Sequence, residues 1–343
     1  VATIKDVSVQ AQVSIKTVSR VVNGSAEVSE ATRQRVLQVI SDLGYRPSLL
    51  AKSLVTGKTN TVGVVIPHTA AYVFAHLYFN QVLRGIGEVL EQHRLDLLLH
   101  LGRKDMNYAE LYHQQRVDGL ILLAIPLDDP LHHELLDGRV PAVFTCRVRE
   151  NDNPTNWVDS DAAGGIEQVV DHLQSLGHRE IGFLSGPDNL VLARLQREGF
   201  RHALRASGLQ LNPEWVRIGE YSFESGRRLA IDVMGFDRRP TALVCGDDMT
   251  AVGAIRGVQS LGNQVPTDVS ITGFDDVVLA GYTVPALTTV RQDGYQKGRI
   301  AAETLIEIMN GSGPDPPRQI VLATELIVRD SSGLVPNCQE NRL

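Results

Sequence analysis

Two short apolar stripes near the start of the chain, each too small to bury itself, constrain the fold more than any other feature. Ile4, Val7 and Ala11 recur at helical spacing after Thr3, and Val18, Val21 and Val22 do the same within Ile15–Val22, with Val13-Ser14 turning the chain between them. Each stripe can be covered only by the other, which turns Ile15, Lys16, Thr17, Ser19 and Arg20 outward on one surface. Short polar, β-branched and basic side chains suit base edges and phosphates, as on the second helix of a helix-turn-helix. An ordinary helical pair with a solvated basic face carries the same pattern, and the next residues separate the two readings. Ser29 caps a third helix, Glu30 sits in its first turn, Val36, Val39, Ile40 and Leu43 face inward, and Gly44 ends it. After Tyr45-Arg-Pro47, Ser48 caps a further short helix. That helix is too short to stand alone in water and calls for a partner, with Leu54 near its end placed as a wedge between base steps.

Charge supports a division of labour. The chain of 343 residues has a net charge of −7, but residues 1–60 hold eight Lys/Arg against four Asp/Glu, +4, which leaves −11 for the rest. A basic head on an acidic body confines phosphate attraction to one end. The length suits two or three cores. No apolar stretch approaches a membrane span and no basic-then-apolar leader precedes the first helix, so a cytoplasmic, nucleoid-associated location is expected. Cys146, Cys245 and Cys338 are odd in number and lack metal-ligand spacing, which points to reduced thiols, with no metal and no cofactor.

From Thr61 on, aliphatic runs alternate with amphipathic helices. Strands are expected at Val62–Ile66, Leu95–Leu101, Gly119–Leu123, Ala142–Thr145, Ile181–Ser185, Ala242–Cys245, Val269–Thr272 and Leu287–Val290. Helices are expected near 74–93, 106–114, 162–176, 192–207, 224–234, 248–261 and 292–310. The pattern implies parallel sheets covered on both faces, in two similar halves meeting near 157–163. Ligands in such folds gather beyond the carboxyl ends of strands. Here those ends carry His68, Ala124, Arg147, Asp159, Asp161, Gly186-Pro187, Asp247-Asp248 and Asp275-Asp276. Carboxylates, arginines and an aromatic ring suit a neutral polyol. Asp161 and Asp247 also read as plain helix caps, and Asp276 as a turn residue.

The motifs resemble the lactose/galactose repressor family of bacterial transcriptional regulators. They are Thr-Val-Ser-Arg-Val-Val-Asn-Gly at 17–24, Val-Ser-Glu-Ala-Thr-Arg at 28–33, Leu-Gly-Tyr-Arg-Pro at 43–47, Ala51-Lys-Ser-Leu54, and Thr-Gly-Lys-Thr-Asn-Thr-Val-Gly-Val-Val-Ile-Pro at 56–67. Later ones are Val140-Pro141, Gly177-His-Arg, Leu184-Ser-Gly-Pro187, Val265-Pro, Asp268 through Asp276, and Leu287-Thr-Thr-Val-Arg-Gln292. The resemblance implies a small all-α helix-turn-helix head and an α/β body like a periplasmic sugar-binding protein, with two lobes joined by three crossovers. The domains would then be 1–46 (head), 47–60 (hinge helix and linker), 61–330 (ligand binding and dimerisation) and 331–343 (tail). Ser331–Leu343 shows no leucine heptad, so no tetramer-forming tail is expected.

Together these readings assign Thr3, Ser14, Ile15, Lys16, Thr17, Ser19, Arg20, Asn23, Ser29, Tyr45, Ala51 and Leu54 to DNA. They assign Phe74, Arg147, Arg194, Arg197, Tyr221, Asp247, Asp275 and Gln292 to the ligand. The chain departs from the family pattern at several places. Gln12 stands where glycine is usual, a cost of about 1 kcal/mol if the backbone there is left-handed. Ser48 and Asp247 replace the usual asparagines, and Gln196 replaces an arginine, with Arg194 and Arg197 beside it. His68–Phe74 lacks the commoner Asn-Pro-Phe-Phe run. His132-His133 are adjacent, cannot share one helix-borne metal site, and read as solvated surface.

The expected function is a repressor, not an enzyme, that binds a pseudo-palindromic operator as a homodimer and is released by a small carbohydrate. A co-repressor-dependent sensor of a purine or nucleoside and a sugar-binding transport protein are the alternatives. No Gly-rich phosphate loop, Gly-x-Ser-x-Gly elbow or Cys/His constellation supports catalysis.

Overall fold

A computed structural model describes residues 2–22, 24, 26–46, 57–102, 107–127, 129–147 and 155–336. Asn23, Ser48, Ala51 and Leu54, the short helix expected after Pro47, and the end of the tail lie outside the described residues, as do the side chains of His132 and His133. The chain forms two compact units, Val1–Thr59 and Asn60–Leu343.

In the first unit, α1 (Ile4–Gln10) opens on a reciprocal cap: the Asp6 amide donates to Thr3 Oγ1 at 3.3 Å and the Thr3 amide to Asp6 Oδ2 at 2.8 Å. The turn that follows puts Gln12 at φ +53°, so the left-handed position expected of a glycine is real and is held by a glutamine. Ser14 Oγ accepts from the Thr17 amide at 3.1 Å at the start of α2 (Ile15–Val22), and Ser29 caps α3 (Glu30–Asp42). Gly44, at φ +59°, ends the third helix. Val7, Ala11, Val18, Val21, Val36 and Val39 are buried together, with Leu43 and Tyr45 packed against them.

The second unit holds two six-stranded sheets. The first has the order β11-β5-β4-β3-β1-β2 and is wholly parallel; the second has the order β12-β10-β9-β8-β6-β7 and is parallel except for β12. The strands are β1 Thr61–Ile66, β2 Asp96–Leu101, β3 Gly119–Leu122, β4 Ala142–Phe144, β5 Asn156–Ser160 and β6 Ile181–Ser185. The rest are β7 Val216–Ile218, β8 Ala242–Cys245, β9 Ser270–Asp275, β10 Thr288–Gln292, β11 Gln319–Leu322 and β12 Thr324–Ile327. Beyond the head, the helices are α4 Ala70–Ala75, α5 Leu77–Gln92, α6 Glu110–His113, α7 Ala162–Ser175 and α8 Val191–Ala206. They end with α9 Phe223–Met234, α10 Asp248–Ser260 and α11 Gly294–Met309.

Helices α5 and α11 bury Val82, Ile86, Ala301 and Leu305 on one face of the first sheet. Helices α7 and α8 cover one face of the second sheet and α9 and α10 the other. Apolar burial at roughly 25 cal/mol per Å² on both faces is what holds the buried strands central.

The chain crosses between the lobes three times: β5 to α7, β10 to α11, and β11 to β12. The crossings are tied together, with the Asp161 amide donating to the Leu322 carbonyl at 2.8 Å, Thr324 Oγ1 donating to the Asp161 carbonyl at 3.0 Å, and Gln292 paired in register with Thr324. The boundary expected near 157–163 is thus the first of three, and the last part of the chain returns to complete the first lobe. Strands β5, β7, β11 and β12 were not expected. They are three to five residues long, and none of them carries a buried apolar run, so no such run announces them. The helix expected over 74–93 is two helices, because His76 takes an extended ψ of 104° between them.

Candidate functional site

Strand ends and helix starts from both lobes meet around a cleft with a cavity volume of about 80 Å³, open at its mouth. From the second lobe come Leu190, Tyr221, Asp247, Asp275 and Gln292; from the first come Tyr72, His76, Tyr78, Phe79, Thr145, Asp159 and Lys297.

On the second lobe the backbone itself fixes the polar groups. Asp247 caps α10, its Oδ1 accepting from the Thr250 amide at 2.9 Å, while Oδ2 lies 3.0 Å from His76 Nε2 across the cleft. Asp275 ends β9 at φ +115°, a region an aspartate enters at a cost, and its Oδ1 accepts from Gln292 Nε2 at 2.5 Å. Burial first, and then the neighbouring Asp248 and Asp247, hold the Asp275 carboxyl well above the usual carboxylate range. Tyr221 packs its ring against Gly186 and Gly246, where any Cβ would collide with it, and its hydroxyl donates to Gln196 Oε1 at 2.9 Å. Burial, then Asp247, raises the Tyr221 phenol, so it stays protonated.

The first lobe supplies a broken helix and one lysine. Tyr72 sits on α4 with ring centroids 4.9 Å from His68 and 5.5 Å from His76. Tyr78 donates to Gln292 Oε1 at 3.2 Å, and burial pushes its phenol up to about 12, with Lys297 acting the other way. Lys297 Nζ is buried, 3.4 Å from both Asp159 Oδ1 and Gln292 Oε1. Burial opposes its charge, but Tyr78 and Asp159 outweigh that and hold its pKa above the ordinary value. The Cys146 thiol is pushed up to about 12 by burial and by Asp159. A ring nitrogen of His76 and carboxylate oxygens of Asp247 and Asp275 gather within 4.8 Å of one another.

Of the eight residues expected at the ligand, the cleft lining brings together Tyr221, Asp247, Asp275 and Gln292. Phe74 is 63% exposed on the outer side of α4, and its neighbours Tyr72 and Phe79 line the cleft instead. Arg147 stacks its guanidinium 5.3 Å from the Trp157 ring and gives its amide to Asp159 Oδ2 at 3.2 Å. Arg194 is exposed and donates to the Asp188 carbonyl at 2.8 Å, while Arg197 binds Ser185 Oγ at 2.7 Å and the Asp188 carboxylate. Neither of these two arginines lines the cleft, because Gln196, wholly buried between them, takes the inward position on α8. Tyr72, His76, Tyr78 and Lys297 are cleft residues that the sequence reading missed.

In the head, Ile15 is 47% exposed, Lys16 is exposed, and Thr17, Ser19 and Arg20 are half-buried on the outer face of α2. Arg20 is held 2.8 Å from Glu27. Thr3, Ser14 and Ser29 sit at helix starts, where N–H groups point outward and favour a phosphate.

Residues 3–48 match the model of bacterial regulatory proteins, lacI family, and residues 170–332 match a periplasmic binding protein-like domain. The HTH-type transcriptional regulator CelR of Thermobifida fusca is 34% identical over 335 residues, covering 96% of this chain and 98% of its own. The chain belongs to the lacI family of bacterial regulatory proteins. Catabolite control protein A of Priestia megaterium is 34% identical over 318 residues, 90% of this chain and 92% of its own. Among solved structures of the family, a lac repressor dimer bound to operator and the anti-inducer ONPF superposes with a TM-score of 0.84 at 28% identity, covering 97% of this chain and 99% of that one. A CelR–cellobiose complex superposes at 0.74 and 31% identity, covering 96% and 100%. Membership makes this chain a DNA-binding transcriptional regulator with a ligand-binding body. Among the described residues, no helix is long and apolar enough to cross a membrane.

Proposed function

We propose that this regulator is a repressor that binds a pseudo-palindromic operator as a homodimer and is released by a small carbohydrate bound between its lobes. Residues 1–46 form the DNA-reading head, 47–60 the hinge and linker, 61–330 the sensor, and 331–343 a tail. Ile15, Lys16, Thr17, Ser19 and Arg20 read the major groove, with Thr3, Ser14, Asn23, Ser29 and Tyr45 on the backbone and Ala51 and Leu54 in the minor groove. Its place of action is the cytoplasm, on the nucleoid.

One observation carries the sensor reading: acceptors, a donor and aromatic faces from both lobes converge on one cleft, with Asp275, Gln292 and Tyr221 on one side and Tyr72 and Lys297 on the other. A sugar offers hydroxyls to the first kind of group and ring C–H faces to the second. The same residues speak for binding over catalysis. The phenols of Tyr72, Tyr78 and Tyr221 are held protonated, the Cys146 thiol is raised, and Lys297 stays charged, so none of these is a poised nucleophile. A ligand that touches both lobes favours one cleft angle, and its coupling to operator must be reciprocal, about 1–3 kcal/mol.

The test is a thermal-shift screen of sugars and nucleosides, followed by operator affinity with and without each hit. Asp275→Ala removes a central acceptor and is expected to bind operator as the parent does but to ignore the ligand. A response at the parent's ligand concentration would mean the cleft is assigned wrongly, and a nucleoside as the sole hit would replace the carbohydrate.

A further inference from the structure

The described residues that line the cleft are out of electrical balance. Among the described residues, Asp159, Asp247 and Asp275 face it against a single lysine, and Lys297 is engaged with Asp159 on the first lobe. On the second lobe Asp247 meets His76 and the Thr250 amide, and among the described residues Asp275 accepts only from Gln292. Directly behind them Asp248 is buried as well, accepting from Thr289 Oγ1 at 2.5 Å and the Val277 amide at 2.8 Å. Among the described residues, no lysine or arginine lies within ion-pair distance of Asp247, Asp248 or Asp275. The two arginines nearest in sequence to the inward position of α8 are turned away to Asp188 and Ser185.

The strain of this arrangement falls on Asp275 and Asp248, both held well above the usual carboxylate range by burial, with Asp248 and Asp247 adding to it at Asp275, and Asp247 and Asp276 at Asp248. Ionising these buried carboxyls side by side is costly, and a ligand that brings a positive charge offsets that cost. The surroundings suit an organic cation better than a bare metal ion. Tyr72 and Tyr221 present aromatic rings at the same place, and the Tyr72 hydroxyl has no hydrogen-bond partner among the described residues. An ammonium has three donors to offer to two carboxylates and a phenol oxygen, and ring faces attract it further. At the other end of the cleft, Thr145, Asp159 and Lys297 offer donors and acceptors for hydroxyls.

We propose that the effector is an amino sugar, its protonated amine seated between Asp247 and Asp275 and its hydroxyls directed to Gln292, Asp159 and Lys297. This rests on the carbohydrate reading above and narrows it.

The experiment uses the full chain and matched pairs: glucosamine and glucose, galactosamine and galactose, mannosamine and mannose, and the chitosan disaccharide and cellobiose. Each is titrated by calorimetry at pH 7, and MgCl2 and ZnCl2 are run alone. At least one amine is expected to bind about tenfold or more tighter than its hydroxyl partner, the difference a hydrogen bond to a charged group makes. In Asp247→Asn, which keeps a good helix cap, that preference is expected to shrink to about twofold with the ligand-free melting temperature retained. A neutral sugar that binds as well as its amine overturns the amine while leaving the carbohydrate reading intact. Failure of every sugar in the panel, whether or not a nucleoside binds, counts against both. Stabilisation by a divalent cation alone, lost in Asp275→Asn, would show that the acids hold a metal and overturn the proposal.

Discussion

The two lobes share one architecture, a six-stranded sheet between helical layers, yet they equip the cleft in different ways. The second lobe places its polar groups at points where the backbone leaves no choice: Asp247 is a helix cap, Asp275 ends a strand in a left-handed conformation, and Gln292 ends the next strand. The first lobe relies on side chains brought in by packing, with Tyr72, His76 and Tyr78 spread across a helix break and Lys297 reaching in from a helix late in the chain. Backbone-fixed groups cost little further ordering when a ligand arrives, whereas packed side chains depend on their neighbours for position. The second lobe therefore suits recognition of the ligand's polar pattern, and the first suits a wall that is sensitive to its own core.

The comparison breaks most readily at Lys297. Lys297→Ala leaves Asp159 buried without its cation, a loss of about 3–5 kcal/mol in urea unfolding, and Asp159→Asn in the same chain should recover much of it. A loss below about 1 kcal/mol would mean the first lobe does not depend on this pair. Next comes Gln196→Ala on the second lobe. It strips the Tyr221 hydroxyl of its acceptor and the Gly246 carbonyl of its donor at 2.8 Å, each worth about 1–3 kcal/mol, and is expected to loosen ligand affinity along with stability.

A smaller effect is expected from pH. The Asp275 and Asp248 carboxyls titrate above their unfolded value, so the folded chain binds more protons, and stability falls as pH rises through the folded pKa values and is regained toward pH of about 4. Melting temperatures of the ligand-free protein between pH 5 and 8 should follow that slope, and Asp275→Asn should flatten it. The smallest effect sharpens the contrast. Phe74→Ala, on the exposed side of the first lobe, is expected to change stability by no more than about 0.5 kcal/mol and ligand affinity not at all. Calorimetry that finds weakened binding would place that side chain at the ligand after all.

What could be read in advance follows the same division. The alternation of aliphatic runs with amphipathic helices marks the sheets, and residues at strand ends such as Asp247, Asp275 and Gln292 are located as soon as the strands are. Lys297 is invisible by this route: on an amphipathic helix it looks solvated, and its carboxylate partner is 138 residues away in sequence. Tyr72 and His76 were hidden because helical periodicity runs through His76 without registering the extended residue that breaks it. The arginines on α8 misled for a related reason. Charge pointed to them, while the inward position on that face belonged to a neutral side chain, Gln196.

The three crossings between the lobes have a mechanical consequence. Three short struts side by side, laced by the Asp161–Leu322 and Thr324–Asp161 hydrogen bonds, act like a door hinge. Sliding or twisting one lobe against the other would shear the lacing or stretch a strut. Rotation about the line through all three does neither. The body thus has one soft degree of freedom, and whatever fills the cleft can report itself in a single variable, the angle at which the door stands.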